Sequence, residues 1–354
     1  MKSITHVLLI VCLGLLVYAN SLNVPFAFDD DINIVDNPAI KDFSFFLDAS
    51  KLEGFKIYQD GDIKSFSYPF KRRIVGYFTF ALNYRLHGLD VFGYHVVNIS
   101  IHIINALLVY WFVLLTFITP FMTARHKSEN GKTMAVFTAL FFVAHPIQTQ
   151  AVTYIVQRFA CLATLFYLLS LVFYIKSRLI IISNQDNDQK IKHINFKKWG
   201  YYCGSIISAV LAMETKEIAF TLPVVITLYE FLFFVGDKRL KMIVYLLPLL
   251  LTIFIIPLMM MEGSPSLDND FRNPSFFDSL RLTPDISRLD YLFTQFRVIV
   301  TYMRLMFPPV IQNLDYDYPI SHSFFEPEVF LSFLIIFSIF ILGIYLICRS
   351  GRAS

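Results

Sequence analysis

The sequence predicts an all-α polytopic membrane protein, a bundle of about eight transmembrane helices with further helices lying at the outer interface. Composition is the first observation behind this: 56% of the 354 residues are hydrophobic and 16% charged, outside the range of a soluble globular domain. The second is that apolar stretches of spanning length recur along the whole chain. The third is that the loops joining them alternate between basic and acidic-aromatic character, which signals sidedness. The 38 phenylalanines come with only modest glycine and proline, so the apolar content reflects spanning helices and not low-complexity sequence. Cys12, Cys161, Cys203 and Cys348 lie in apolar runs without CxxC or Cys/His spacing, indicating neither a disulfide framework nor a zinc site. The whole chain, 1–354, reads as a single transmembrane domain without internal repeats.

Residues 4–20 form the first apolar stretch. Lys2 before it and Ala19 after it also fit a cleavable signal peptide. The uninterrupted run into aromatic, acidic sequence, and the even helix count that keeps Arg349 and Arg352 inside, favour a retained span. Outer loop one, 21–92, contains a candidate juxtamembrane helix at 74–86, where Phe78, Phe80 and Leu82 are followed by Asn83 and Arg85. Further spans follow at 93–119, 134–146, 151–176, 199–214, 217–235, 242–261 and 329–348, of which 134–146 and 199–214 are short. The loops carrying Arg125, Lys127 and Lys132, then Lys176, Arg178, Lys190, Lys192, Lys197 and Lys198, then Lys238, Arg239 and Lys241 are cytoplasmic by their charge. Outer loop 262–328 contains the stretch 289–307, which is long enough to span but carries Asp290, Arg297 and Arg304. Charges at bilayer depth are costly, so this stretch reads as a second amphipathic helix in the outer interface. Both termini then face the cytoplasm, and the protein is a multi-pass integral membrane protein of a bacterial inner membrane or its equivalent.

The run FAFDDD, Phe26 to Asp31, places three carboxylates where the chain leaves the membrane. Neighbouring carboxylates at low dielectric have their proton affinities pushed apart, which leaves one poised as a general base; carboxylates so placed also bind metals. A solvated acidic loop start is the plain alternative. Polar groups inside spans are the second signal, since each is expensive in hydrocarbon. His95, Asn98, His102 and Asn105 share one helical face, which suits interhelical hydrogen bonding better than a metal pair of His95 and His102. In HPIQTQAVTYIVQR, His145 and Pro146 make an outer turn, and Gln150, Tyr154, Gln157 and Arg158 follow at helical spacing. Arg158 reads either as half of a salt bridge or as an arginine opening onto an outer cavity to grip a phosphate. Glu214, Lys216 and Glu217 repeat the arrangement at the next outer turn. Lys71-Arg72-Arg73 suits lipid headgroups or substrate equally.

YANSLNVPFAFDDDINIVDNPAI (18–40), RRIVGYFTFALNYRLHGLDVFGYHVVNISIH (72–102), HPIQTQAVTYIVQR (145–158), ETKEIAFTLPVVITLYE (214–230) and FPPVIQNLDYDYP (307–319) stand in this order. Together they resemble the membrane part of the transmembrane and tetratricopeptide-repeat O-mannosyltransferases and their prokaryotic relatives. That family belongs to the GT-C class of glycosyltransferases. The resemblance implies a GT-C-like bundle, with Asp29 and Asp30 in the acidic motif that holds the catalytic carboxylate and with 74–86 and 289–307 as its juxtamembrane helices. Arg158, Lys216 and Arg73 are then the donor-phosphate residues. His95, Asn98, His102, His145, Gln150, Tyr154, Glu217, Arg297 and Arg304 support them.

The implied reaction moves a sugar, mannose by analogy, from a polyprenyl-phosphate donor to a hydroxyl on an exported protein, with inversion, on the non-cytoplasmic side. A divalent cation is left open, and nothing points to nucleic acid. Departures from the family pattern are Gln150 in place of Glu, and Ile74 after Arg73 in place of Pro. The family's later spans and tetratricopeptide repeats have no counterpart before Ser354. The chain therefore reads as a truncated product, a short member, or one piece of an enzyme completed by a separately encoded repeat subunit. Two competing classes are a lipid-linked sugar flippase, which predicts helices interrupted at the midplane in both halves, and a non-catalytic relative.

Overall fold

The computed structural model describes residues 2–59, 62–65, 67–125, 130–183, 191–234, 239–262, 286–307, 309–314, 316 and 318–351. Lys127, Lys190, Lys238, Arg352, Asp315, Asp317 and the stretch 263–285 of the second outer loop lie outside them. The chain divides into two compact units, Met1–Gly263 and Ser264–Ser354.

In the first unit α1 (Lys2–Tyr18) is followed by a loop holding a single π-helical turn, Asp31–Val35, and the short helices α2 (Pro38–Lys41) and α3 (Ser44–Leu47). An antiparallel hairpin, β1 (Lys56–Gln59) with β2 (Asp62–Ser65), is the minor exception to an all-helical fold. Next come α4 (Ser67–Arg72), α5 (Ile74–His87), α6 (Val91–Phe117), α7 (Pro120–Arg125), α8 (Gly131–Ala144), α9 (Thr149–Thr153) and α10 (Arg158–Ser183). The unit closes with α11 (Ile191–Met213), α12 (Leu222–Phe233), α13 (Arg239–Leu251) and α14 (Ile255–Glu262).

Local sequence sets these boundaries. Gly88, at φ +57°, turns the chain out of α5, and the Asp90 side chain then accepts from the Phe92 amide at 3.1 Å to cap α6. Pro146 forces His145 into an extended conformation and ends α8; the His145 Nδ1 accepts from the Ile147 amide at 3.1 Å and caps the next turn.

Among the described residues, four helices are long and apolar enough to cross a membrane: Ile4–Ser21, Val91–Phe117, Ile155–Ile182 and Pro327–Arg349. A fifth is the broken pair Gly131–Ala144 and Pro146–Thr153, bent by 48°. The expected spans at 199–214, 217–235 and 242–261 are helical but do not meet that test. Charged residues lengthen α11 at its start, while 3-10 turns at Glu217–Thr221 and Thr252–Phe254 shorten the others. The core runs along α6, with Ile10, Ala106, Tyr110, Ala135 and Val143 on one side of it and Tyr18, Ile99, Val152 and Leu162 on the other. Leu171, Tyr174, Ala209, Leu222, Ile226 and Leu246 bind α10 to α11, α12 and α13.

The second unit is a helix pair, α15 (Arg288–Leu305) and α16 (Pro327–Gly351). Ser287 caps α15 by accepting from the Asp290 amide at 3.1 Å. Arg297 ties the pair together through Glu328 at 2.6 Å, and Phe296 meets Phe333 edge-on at 5.4 Å. Among the described residues, 6% of the apolar window of α16 is buried.

Candidate active site

Four segments of the first unit converge: the loop after α1, the start of α5, the break between α9 and α10, and the turn after α11. Phe28 adopts a left-handed backbone at φ 52°, which costs a bulky residue on the order of 1–2 kcal/mol. The two neighbouring aspartates follow this turn and differ in exposure. The Asp29 side chain is exposed, while Asp30 is 1% exposed. Asp30 accepts from the Val156 amide at 2.7 Å and from the Ala27 amide at 3.1 Å, pinning the loop to the start of α10. Burial pushes its carboxyl up to about 6; the two amide bonds oppose this, and the charges of Asp31 and Asp29 add to it.

The Asp29 peptide is fixed from two directions. Its amide donates to the Tyr154 hydroxyl at 2.8 Å, and its carbonyl accepts from the Asn33 side chain at 2.9 Å. Asn33 in turn accepts from the Tyr77 hydroxyl at 2.8 Å. Tyr77 is buried at the foot of α5, where the charges of Arg73, Glu217 and Asp29 act on it; burial dominates and pushes its hydroxyl up to about 12.

Beside this network lies a cationic cluster. Arg73 grips Glu217 with two nitrogens at 3.1–3.4 Å, and Arg72 reaches the same carboxylate at 3.2 Å. Lys216 donates to Gln157 at 3.1 Å. Burial lowers the Lys216 ammonium, with Arg73 pushing the same way and Glu217 opposing. Burial alone would raise Glu217, but Arg73 and Arg72 outweigh it and hold the carboxyl below its ordinary value. Arg72, Arg73 and Lys216 thus gather at the Glu217 turn, and the charges of Arg73, Glu217 and Asp29 all act on Tyr77. Such a surface can bind an anionic group next to a carboxylate able to take a proton.

Arg158 does not open onto a cavity. It is fully buried; Nε donates to Asn98 Oδ1 at 2.6 Å, and the terminal nitrogens donate to Asn83 at 2.9 Å, the Tyr94 carbonyl at 3.0 Å and the Thr79 carbonyl at 3.4 Å. Its guanidinium lies 4.3 Å from the Phe80 ring centre. The arginine binds α5, α6 and α10 into one block without a carboxylate partner among the described residues. Nor do Tyr154, Gln157 and Arg158 share one helical face with Gln150. The α9 helix stops at Thr153 and a 3-10 turn, Ile155–Gln157, intervenes.

The polar face of α6 is interhelical bonding. His95 donates to the Val24 carbonyl at 2.8 Å, and His102 to the Val143 carbonyl at 3.1 Å. Asn98 donates to the Ile155 carbonyl at 3.2 Å, and Asn105 to the Cys161 carbonyl at 2.9 Å. His145 serves as a helix cap, and Gln150 is half-buried on α9. Arg297 is engaged within the second unit by Glu328, Ser321 and the Pro319 carbonyl, and Arg304 is exposed there. Among the described residues, no group of three His, Cys, Asp or Glu is placed to hold a metal ion.

Over 204 residues, 54% of this chain, the sequence is 31% identical to a protein O-mannosyl-transferase of Caenorhabditis elegans. Over 236 residues, 65% of the chain, it is 30% identical to protein O-mannosyl-transferase TMTC2 of Mus musculus. Over 182 residues it is 29% identical to protein O-mannosyl-transferase Tmtc3 of Drosophila melanogaster. The chain is similar in sequence to these protein O-mannosyl-transferases. It is an all-α membrane protein similar to 27%, 24% and 19% of those relatives' lengths, so it spans a quarter or so of each. No protein-family profile and no solved structure matches it.

Sequence reasoning missed Asn33 and Tyr77, which carry no motif spacing of their own. It also missed the buried Glu230, gripped by Arg178 at 2.5–3.0 Å and by the Tyr174 hydroxyl at 2.8 Å. A lone glutamate in the apolar run of α12, with Arg178 near the end of α10, was the available signal.

Proposed function

We propose that this chain is the sugar-transfer core of a GT-C-type membrane glycosyltransferase. It moves mannose from a polyprenyl-phosphate donor to a serine or threonine hydroxyl of an exported protein on the non-cytoplasmic side. The relatives' names supply the sugar and the acceptor class. The observation that supports the reading is the exposed Asp29 carboxylate, whose backbone is clamped by Tyr154 and, through Asn33, by Tyr77 on the helix turn that follows Arg73.

Asp29 is the base. Supporting Asp29 over its neighbour, both Asp30 oxygens accept from backbone amides and its side chain is enclosed. Asp29 takes the acceptor's hydroxyl proton as the oxygen attacks the anomeric carbon. The bond from that carbon to the phosphate oxygen breaks on the opposite face, giving inversion, and the polyprenyl phosphate leaves with the electron pair. Arg73 and Lys216, with Arg72 behind them, stabilise that developing charge. Asp30 positions Asp29, and Arg158 holds the block on which both depend.

The test uses the full chain in nanodiscs with a polyprenyl-phosphate mannose donor and a serine/threonine peptide. Asp29→Asn should lower turnover by roughly 10²- to 10⁴-fold while donor binding and thermal stability persist. Wild-type turnover in that variant would remove the base assignment. Absence of transfer by the wild-type chain in its native membranes, with donor bound, would remove the activity. Sidedness is read separately: a cysteine at Asp31, in a background with Cys12, Cys203 and Cys348 replaced by serine, should react with an impermeant maleimide from outside. Labelling only after permeabilisation would invert the topology.

A further inference from the structure

Both tryptophans of the chain, Trp111 and Trp199, lie under lysine ammonium groups. Lys176, near the end of the span Ile155–Ile182, sits 5.1 Å from the Trp111 ring centre and 5.4 Å from that of Tyr201. Lys198 lies 4.8 Å from Trp199. The nearby Arg178 is taken by Glu230 through both of its oxygens, whereas no carboxylate is bonded to either lysine among the described residues. The indoles are 46% and 51% exposed on the outside of the helices, so they meet whatever surrounds the protein there.

Depth identifies that surrounding. Along α10, Lys176 is eighteen residues from Arg158, about 27 Å at 1.5 Å per residue. This is roughly the hydrocarbon thickness, so the lysines reach the headgroup level of the leaflet opposite the candidate active site. Amphipathic indoles with flanking ammonium groups suit that level, and their unneutralised charge suits a phosphodiester.

We propose that Lys176, Lys198, Trp111, Trp199 and Tyr201 form a binding site for the headgroup of an anionic phospholipid. The two lysine stretches are joined by the Ser177 hydroxyl, which donates to the Lys198 carbonyl at 3.1 Å; the ammonium groups would meet the headgroup phosphate and the acyl chains would run along α6 and α11. The site is independent of the sugar-transfer reading.

The tryptophans report on it directly. The full chain is reconstituted in phosphatidylcholine nanodiscs containing a minor fraction of either brominated phosphatidylglycerol or brominated phosphatidylcholine. Intrinsic fluorescence should be quenched more by the brominated anionic lipid, corresponding to enrichment on the order of five- to thirtyfold over the bulk composition. Lys176→Gln with Lys198→Gln should abolish the excess, and Lys176→Arg should keep it. Equal quenching by the two lipids in the wild type overturns the proposal without recourse to any variant. Loss of the excess on adding inorganic phosphate at matched ionic strength would assign the lysines to a free anion and also overturn it.

Discussion

Replacing Asp30 by asparagine should make the fold less sensitive to pH and, at neutral pH, more stable. In the folded protein the Asp30 carboxyl titrates at about 6, against 3.8 for an ordinary aspartate. At about 1.4 kcal/mol for each tenfold change in proton affinity, the gap is worth about 3 kcal/mol. The sign follows from which state holds the proton more tightly. Here it is the fold, so this stability is fully present below pH 3.8 and is lost as pH rises through about 6. Asparagine has nearly the same shape and no charge to desolvate, but it cannot accept from Ala27 and Val156 together. The lost bond costs about 1 kcal/mol, which leaves about 2 kcal/mol in favour of the variant at pH 7, or roughly 4 °C in Tm. Thermal unfolding of the purified chain in one detergent between pH 4.5 and 7.5 measures this. The wild type should lose stability across the interval and Asp30→Asn should lack that component. Parallel pH profiles, or a variant less stable at pH 7, would refute the claim that burial dominates this carboxyl.

Arg158→Ala strands the Asn98 and Asn83 oxygens and leaves a cavity beside Phe80 and Tyr94, so a loss of about 3–5 kcal/mol is expected in the same thermal scans. Gly76→Ala would place a methyl 2.2 Å from the Phe159 ring, and expression or Tm should fall unless α5 shifts away. Tyr154→Phe removes the acceptor for the Asp29 amide without changing the packing. In transfer assays kcat should fall about tenfold with donor KM unchanged, a split that a general loss of fold would not produce. Glu217→Gln releases Arg72 and Arg73 from their shared carboxylate, and titration with a non-transferable polyprenyl phosphate should show tighter binding, by about fivefold, alongside a lower Tm.

Much of this architecture is legible in the sequence because membrane spans announce themselves through length and apolarity. The apolar stretches are helical, and so are 74–86 and most of 289–307. Breaks were legible only where a special residue marks them. Pro146 announces the end of α8, but the interruption at Tyr154–Gln157 falls in TYIVQR, which contains neither glycine nor proline. It exists because Asp30 accepts the Val156 amide and Tyr154 reaches the Asp29 amide, contacts between residues 125 or 126 positions apart. Composition likewise shows that an arginine inside a span must be satisfied, but not by what. For Arg158 the partners are two asparagines and two carbonyls from neighbouring helices, where a phosphate was expected. The different burial of Asp29 and Asp30 is invisible in a run of identical residues; it goes with the Ala27 and Val156 amides that hold Asp30.

The two arginine environments differ in how firmly each guanidinium is held. Arg158 is saturated by neutral acceptors at fixed helix positions, so an incoming anion would have to dismantle the block to reach it. Arg73 is held instead by a single carboxylate on a short turn, is about a third exposed, and shares that carboxylate with Arg72. An anion can replace Glu217 there by exchanging one ion pair for another, with no buried charge left unpaired at any stage. Because the arginines hold Glu217 below its ordinary value, the pair persists at neutral pH, and the exchange is a competition between two anions. Lys216, lowered by burial, gains most from an added negative neighbour. Docking of a phosphate would therefore reorganise the 214–217 turn and leave α5, α6 and α10 in place, with the Asp29 loop still clamped through Tyr77 and Tyr154.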